Sequence, residues 1–172
     1  MKTSINTPDI APGTEYGDKC AVLAEFLHDL VFGPGQWAGN DEHYKQMYRE
    51  DAVATITLLP HLLGLVERER LQEHIPALAL GFIGDVPQEM PSPARMGAIK
   101  ETAPDTEYGE TLAALAEFLH AIPNGEGTWA DAEASYRTNY TADAADVLAA
   151  QPHLIDLEER RRLATIIPEL AP

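Results

Sequence analysis

The sequence predicts an all-α fold made of two copies of one three-helix module. Residues 11–80 and 103–172 align without a gap at a constant offset of 92, and 33 of the 70 aligned pairs are identical. Apolar residues recur at helical spacing in both copies, whereas the alternating β-branched runs that are typical of strands are missing from the sequence. A repeat of this length predicts similar modules that are either related by a pseudo-two-fold axis or stacked in series.

The first predicted helix of each module begins after a threonine, Thr14 or Thr106, which is a favourable N-cap residue. Segments that contain glycine and proline, at residues 33–35 and 123–125, predict where these helices stop. A tryptophan follows each stop, in a loop that we expect to fold back onto the core. In the first copy, helical spacing predicts one buried stripe that contains Cys20, Leu23, Ala24, Leu27, Leu30 and Val31.

A second helix is predicted over residues 41–66 and a third over residues 67–83, with matching stretches in the second copy. Pro60 removes one backbone donor, so it should kink the second helix or divide it. Pro152 occupies the matching position in the second copy, so this interruption belongs to the repeat unit.

Composition divides the chain into four segments. Residues 1–10 are predicted to form an N-terminal tail, residues 11–84 the first helical module and residues 103–172 the second. Between the modules lie residues 85–102, where three closely spaced prolines predict an extended linker.

Residues 51–84 contain the proline-bearing segment Leu58-Leu59-Pro60-His61-Leu62-Leu63, followed by Ala79-Leu80-Gly81-Phe82-Ile83-Gly84. This arrangement resembles a HEAT-type helical repeat, which pairs a proline-bearing first helix with a second helix that ends in small residues. The resemblance implies αα-hairpin packing and an interaction surface rather than a catalyst. The second copy departs from the pattern because it keeps Leu154-Ile155 and lacks the Gly-rich end.

The charge balance indicates which partners the chain can bind. Its 12 basic and 28 acidic residues give a formal net charge of −16, which should repel nucleic acid and attract a basic protein. No apolar run reaches the ~20 residues of a membrane span, and the N-terminus lacks the apolar core of a secretory signal. Because Cys20 is the only cysteine, an internal disulfide is excluded, and we expect a cytoplasmic protein with no membrane partner.

One motif points to metal chemistry. The pairs Glu25/His28 and Glu117/His120 have the Glu-x-x-His spacing that, with two further glutamates, supplies the ligands of a di-iron carboxylate bundle. The candidates for those further ligands are Glu67 and Glu159. The alternative function is therefore a metal-binding, di-iron-like protein, or an oxygenase or hydrolase, that holds iron, manganese or zinc. Helical angles oppose it: Glu25 lies about 160° and His28 about 100° from the centre of the buried stripe, so both should lean toward solvent or a neighbouring surface.

Aromatic residues mark a candidate binding face. In each copy a tryptophan precedes two tyrosines and an aspartate that recur at i, i+4 and i+7. Such residues supply large, rigid contact area for a protein or a flat small molecule, and their alternative role is to close a helix interface. The candidate set also includes the histidine that follows the mid-module proline. The alternative role of this histidine is packing at the edge of the core. The full candidate set is Trp37, Tyr44, Tyr48, Asp51, His61, Trp129, Tyr136, Tyr140, Asp143 and His153.

The sequence therefore favours a non-enzymatic binding protein that uses an aromatic-lined groove or face between its two modules. The expected ligand is a basic protein, as for an antitoxin, an immunity protein or another inhibitor of a nucleic-acid-binding protein, or else a small molecule; no cofactor is expected. The metal-binding alternative stays open, as does a self-assembling homo-oligomer. Phosphate-binding loops and the Gly-x-Ser-x-Gly and Cys-x-x-Cys motifs are missing from the sequence, so no catalytic residue is assigned.

Overall fold

The computed structural model describes residues 13–75 and 105–165. The chain divides into two compact units, Met1–Asp85 and Val86–Pro172. Their described parts are called module 1 and module 2 below. All regular secondary structure in these two ranges is helical, as the sequence predicts.

Several predicted segments lie outside the described residues. They are the tail (residues 1–10), the linker (residues 85–102), the end of the third predicted helix, and the Gly-rich part of the HEAT-like segment.

Module 1 contains three α-helices and two 3₁₀ turns. Helix α1 spans Glu15–Phe32, α2 spans Glu42–Leu58 and α3 spans Leu65–Gln72, and the 3₁₀ turns are Trp37–Gly39 and Pro60–Leu62. Module 2 contains α4 (Glu107–Asn124), α5 (Ala134–Ala150), a 3₁₀ turn (Pro152–Leu154) and α6 (Leu157–Ala164). Each of these helices has the bounds of its counterpart in module 1 shifted by 92 residues. None of the described helices is both long enough and apolar enough to cross a membrane.

The helix ends follow the sequence signals. Thr14 Oγ1 accepts a hydrogen bond from Gly17 N at 3.0 Å, and Thr106 makes the same contact in α4 at 3.1 Å, which confirms both predicted N-caps. Gly33 (φ 88°) and Gly125 (φ 91°) end α1 and α4 in the left-handed region, where a side chain would strain the backbone.

Pro60 divides the second predicted helix. The last backbone hydrogen bond of α2 runs from Leu59 N to Thr55 O at 3.0 Å, and Pro60 has no N–H with which to continue the series. The chain then makes a 3₁₀ turn, and α3 begins at Leu65, two residues before the predicted start. The same division occurs at Pro152 in module 2.

An aliphatic core lies between the first two helices of each module and is closed by the third. Its buried residues include Leu23, Leu27, Ile56, Leu62 and Leu71 in module 1, and Leu115, Leu119, Leu148, Leu154 and Leu163 in module 2. Burial of each such side chain contributes about 1.5–3 kcal/mol. Val31 departs from the predicted stripe: it lies in the last turn of α1, past the packed part of the helix, and is exposed.

The N-terminal ends of α1 and α3 hold each other. Glu15 Oε1 accepts a hydrogen bond from Gly64 N at 2.7 Å. In return, Glu67 Oε1 accepts one from Tyr16 N at 3.4 Å. Each carboxylate thereby satisfies an amide at the start of the other helix, where the helix dipole favours negative charge. These contacts fix α3 against α1.

Candidate functional site

A buried histidine is the centre of an aromatic cluster in module 1. His28 is 1% exposed and lies one turn before the end of α1. Its ring centroid is 5.3 Å from that of Trp37 and 5.3 Å from that of Tyr48, and both contacts are edge-on. Phe32, one turn further along α1, lies at 4.9 Å. The cluster therefore joins α1, the first 3₁₀ turn and α2.

Both ring nitrogens of His28 are engaged by hydrogen bonds. Asn40 Nδ2 lies 2.7 Å from His28 Nε2 and also donates to Gln36 O at 2.9 Å. Because an amide nitrogen can only donate, His28 Nε2 is the acceptor and the ring proton lies on Nδ1. The Nδ1–H group then donates to Asp29 Oδ1 at 3.1 Å. The pattern assigns the neutral Nδ1–H tautomer to His28.

Module 2 builds the same cluster around His120. This histidine is also buried, and its ring centroid lies 5.4 Å from that of Trp129 and 5.1 Å from that of Tyr140. We call the three residues of each module the His–Trp–Tyr cluster: His28, Trp37 and Tyr48 in module 1, and His120, Trp129 and Tyr140 in module 2.

The polar contacts of the two clusters differ. Module 2 has alanines at the positions of Asp29 and Asn40. His120 Nδ1 instead lies 3.4 Å from Thr128 Oγ1, and the threonine hydroxyl donates to Gly125 O at 2.8 Å. The threonine oxygen is thus the acceptor for His120. The packing of the rings is repeated between the modules, and the hydrogen bonding is not.

The structure separates the members of each Glu-x-x-His motif. Glu25 and Glu117 are exposed, whereas His28 and His120 are buried. Of the two surroundings expected for the histidines, solvent or a neighbouring surface, the structure shows the second, because the tryptophan of the loop after the helix packs against each of them. Within residues 13–75 and 105–165, no three His, Cys, Asp or Glu side chains come together as a metal-binding group.

The glutamates proposed to complete a metal site form ion pairs. Glu67 Oε1 lies 2.8 Å from Arg70 Nη2. Glu159 makes the same pair with Arg162 at 2.7 Å. Hydrogen bonds from these arginines hold the pKa of both carboxyl groups below its usual range. Each glutamate is therefore already engaged at the start of its own helix.

The tyrosine stripe has a buried half and an exposed half. Tyr48 and Tyr140 are buried in the clusters. Burial is the main cause that raises the pKa of both hydroxyls, and the negative charge of the aspartate three residues later raises it further, so both stay protonated at neutral pH. Tyr44 and Tyr136, one turn earlier, are 47% and 54% exposed. Only the earlier tyrosine of each pair is available to a partner.

The remaining candidates lie further along α2 and α5. Asp51 and Asp143 are half-buried, one turn after the cluster tyrosine. His61 and His153 lie in the 3₁₀ turns that follow α2 and α5. Helix α2 continues from Tyr48 to Leu58. At a rise of 1.5 Å per residue, the end of the helix lies about 15 Å from the cluster along the helix axis. The structure therefore keeps the aspartates beside the clusters and places these histidines at the opposite ends of the helices.

Three residues that contact His28 are missing from the candidate residues predicted from the sequence. They are Phe32, Asp29 and Asn40. Phe32 is recognisable from the sequence, because it stands at i+4 from His28 on the same helix. Asn40 carries no such signal, since its approach to the histidine depends on the path of the loop after α1.

Comparisons with protein-family models, with curated proteins and with solved structures give no match to this chain. The two His–Trp–Tyr clusters and the surface around them are therefore the basis for assigning a function.

Proposed function

We propose that this chain is a non-enzymatic binding protein that arose by tandem duplication of one helical module. In each module the partner contacts the surface around the His–Trp–Tyr cluster, here called the Trp face. In module 1 the exposed or half-buried residues of this face include Ala21, Glu25, Trp37, Tyr44 and Asp51.

Helical geometry places these residues near the cluster rings of their own helices. At 100° per residue, Ala21 and Glu25 lie within about 60° of the cluster histidine around the axis of α1. Tyr44 and Asp51 lie within about 60° of the cluster tyrosine around the axis of α2. The tryptophan ring contacts both the histidine and the tyrosine, so it links the two helices.

Identity between the modules on the Trp face is the observation that carries the proposal. These five residues recur unchanged in module 2, as Ala113, Glu117, Trp129, Tyr136 and Asp143, whereas Phe32 and Lys45, within the same angles of the cluster rings, are replaced by Asn124 and Arg137. Elsewhere on the same helices, alanine replaces Val22 and threonine replaces both Gln46 and Arg49. Exposed positions without a role in folding change freely, so an exposed tyrosine kept in both copies indicates a contact with a partner.

The chemistry of the Trp face supports binding rather than catalysis. Tyrosine and tryptophan are typical hot-spot residues, whereas the histidine of module 1 is buried with both nitrogens engaged and is poorly placed for proton transfer. The net charge of −16 favours a basic protein, as for a cytoplasmic antitoxin, immunity protein or other inhibitor of a nucleic-acid-binding protein. HEAT-like packing of αα-hairpins would suit the same role.

Paired substitutions in both modules test this proposal. Tyr44→Ala with Tyr136→Ala removes the exposed tyrosines, and Gln46→Ala with Thr138→Ala is the matched control on the other side of α2 and α5. Each tagged full-length chain is cross-linked in its producing cells, and co-purifying proteins are quantified by mass spectrometry. We expect wild type and control to retain the same basic protein. The tyrosine variant should lose about 30-fold, because truncation of a hot-spot tyrosine costs about 2 kcal/mol.

Equal retention of that protein by all three chains would contradict binding at the Trp face. A small molecule in the same site would be detected by native mass spectrometry of the wild-type chain and lost from the tyrosine variant. Charge steering has its own check: association with the basic protein should slow as the salt concentration rises from about 20 to about 150 mM. A rate that does not depend on salt would count against electrostatic steering.

A further inference from the structure

The junction between the first and third helices is built differently in the two modules. In module 1, Glu15 Oε1 accepts a hydrogen bond from Gly64 N at 2.7 Å and forms an ion pair with Lys19 Nζ at 3.1 Å. The same ammonium group donates to Leu62 O, in the 3₁₀ turn before α3. A cation on α1 therefore balances the negative charge that Glu15 brings to this junction.

Module 2 has different residues at two of these positions. Asp156 replaces Gly64 and Thr111 replaces Lys19, whereas the glutamate is kept as Glu107. Within residues 13–75 and 105–165, no lysine or arginine pairs with Glu107 or Asp156. The junction of α4 with α6 therefore gains a carboxylate and loses the lysine.

The aspartate also changes the geometry of the junction. A Cβ atom built on Gly64 would lie 2.9 Å from Glu15 Oε2 and 3.1 Å from Glu15 Oε1, which is too close for an unshifted contact. In module 2 the distance from Asp156 N to Glu107 Oε1 is 3.4 Å, against 2.7 Å for the matching atoms of module 1. A side chain at this position accounts for the longer and weaker hydrogen bond.

The two carboxyl groups of module 2 lie in contact. A hydrogen bond between their side chains is the main cause that raises the pKa of Glu107 above its ordinary value, and burial and the nearby negative charges raise it further. The amide of Glu159 donates to Asp156 Oδ1 at 2.9 Å, and this bond is the main cause that lowers the pKa of Asp156. Because carboxylates only accept, the hydrogen bond between them forms when one of them holds a proton, and Glu107 is the one that takes it.

The other charged groups at the junction leave this pair unneutralised. Besides Asp156, the charged group of the described residues that acts on Glu107 is Glu159 of α6, which adds negative charge. The arginine nearest to this second glutamate, Arg162, is held in its ion pair at 2.7 Å. On α4, the position one turn after Glu107 is the uncharged Thr111. Both carboxylates thus meet without a counter-charge when they are ionised.

We propose that the α4–α6 junction of module 2 is a pH-sensitive contact, in which a proton shared by Glu107 and Asp156 tightens α6 against α4 on acidification. The proton removes the repulsion between the two carboxylates and supplies the donor for their hydrogen bond. This stabilisation is fully present below about pH 4.3 and is lost as the pH rises through the higher folded pKa of Glu107. The inference does not depend on the Trp face.

Three full-length chains test the inference. Wild type is compared with Thr111→Lys, which gives module 2 the lysine of module 1, and with Asp156→Asn, which removes one charge and keeps an oxygen for the amide of Glu159. All three carry Trp37→Phe, so that Trp129, in the cluster of module 2, is the remaining tryptophan. Urea melts followed by its fluorescence are recorded at pH 7 and pH 5.

We expect the urea midpoint of wild type to rise relative to that of each variant by at least about 0.3 M between pH 7 and pH 5. The shift is modest because both carboxyl groups are exposed to solvent. All three chains keep the same histidines and the Glu159–Arg162 ion pair, so the difference between them isolates the carboxyl pair. The stabilisation that comes from the lowered pKa of Glu159 is lost only at lower pH.

A second measurement detects the proton itself. In a carboxyl-carbon NMR titration of the isotope-labelled wild-type chain, Glu107 should titrate at a higher pH in the folded protein than in urea, and Thr111→Lys should lower that midpoint. Midpoint differences between wild type and the variants that are the same at pH 7 and pH 5 would overturn the inference. A folded Glu107 that titrates at or below its value in urea would overturn it as well.

Discussion

Replacement of Asn40 with alanine is expected to destabilise module 1 by about 2 kcal/mol and to leave module 2 unchanged. The side-chain amide donates to two acceptors, His28 Nε2 at 2.7 Å and Gln36 O at 2.9 Å. Gln36 is exposed, so water replaces the amide at its carbonyl with little cost. His28 is buried, so its acceptor nitrogen would lose its partner, which costs about 1–3 kcal/mol. Module 2 already has Ala132 at this position and folds without the bond.

The two tryptophans of the chain report on the modules separately. Trp37 lies in the cluster of module 1 and Trp129 in that of module 2, so Trp129→Phe leaves a reporter for module 1 and Trp37→Phe leaves one for module 2. With a slope of about 1 kcal/mol per molar urea, Asn40→Ala should lower the midpoint seen by Trp37 by about 2 M. The midpoint seen by Trp129 should move by less than about 0.3 M.

Gln36→Ala is the matched control, because it removes an exposed side chain and keeps the carbonyl that Asn40 contacts. It should change the free energy of unfolding by less than about 0.5 kcal/mol. An unchanged midpoint of module 1 in Asn40→Ala would show that His28 does not depend on the amide. Equal shifts of both reporters would show that the modules unfold as one unit, which would refute the assignment of the cost to module 1.

Three further predictions concern the thiol, an ion pair and the histidines. Burial raises the pKa of the Cys20 thiol to about 12, so above about pH 8.5 the unfolded state loses a proton that module 1 keeps, and its free energy of unfolding should fall by about 1.4 kcal/mol per pH unit. Urea melts up to about pH 10 should show no such fall in Cys20→Leu, which copies Leu112 of module 2. A hydrogen-bonded arginine lowers the pKa of Glu67, so this stabilisation is present above about pH 4.3 and is lost as the pH falls through the lower folded pKa. Glu67→Gln should therefore flatten the acid limb of a circular-dichroism titration. Elemental analysis of protein purified without chelators should find no stoichiometric iron, manganese or zinc, because hydrogen bonds engage both ring nitrogens of His28. A stoichiometric metal that is lost in His28→Ala with His120→Ala would contradict that reasoning.

Local signals in the sequence predict the helix ends well, because caps and breaks depend on chemistry within a few residues. Thr14 caps α1 through its own hydroxyl, and Pro60 ends α2 through its missing N–H. The burial of His28 is a different case. Its angle from the stripe of α1 is a property of one helix, whereas its burial comes from a returning loop that places Trp37 over that edge. The return of this loop to the core is expected from the sequence, but helical periodicity does not specify which edge of α1 the tryptophan covers.

The candidate site is predictable only in part for the same reason. The structure brings Trp37 and Tyr48 together around His28, and it places His61 at the far end of α2. Spacing within α2 correctly puts Tyr44 and Tyr48 on one stripe. It does not reveal that the first is exposed and the second buried, because that depends on where α1 ends beside them.

The contrast between the modules separates what the fold requires from what it tolerates. Exposed Phe32 and Met47 forgo much of the roughly 1.5–3 kcal/mol that burial of each side chain would contribute. Module 2 forms the same helices with asparagine at both positions, so the fold does not require these two apolar side chains. The buried rings of His28 and Tyr48 are a different case, because His120 and Tyr140 repeat their packing in module 2.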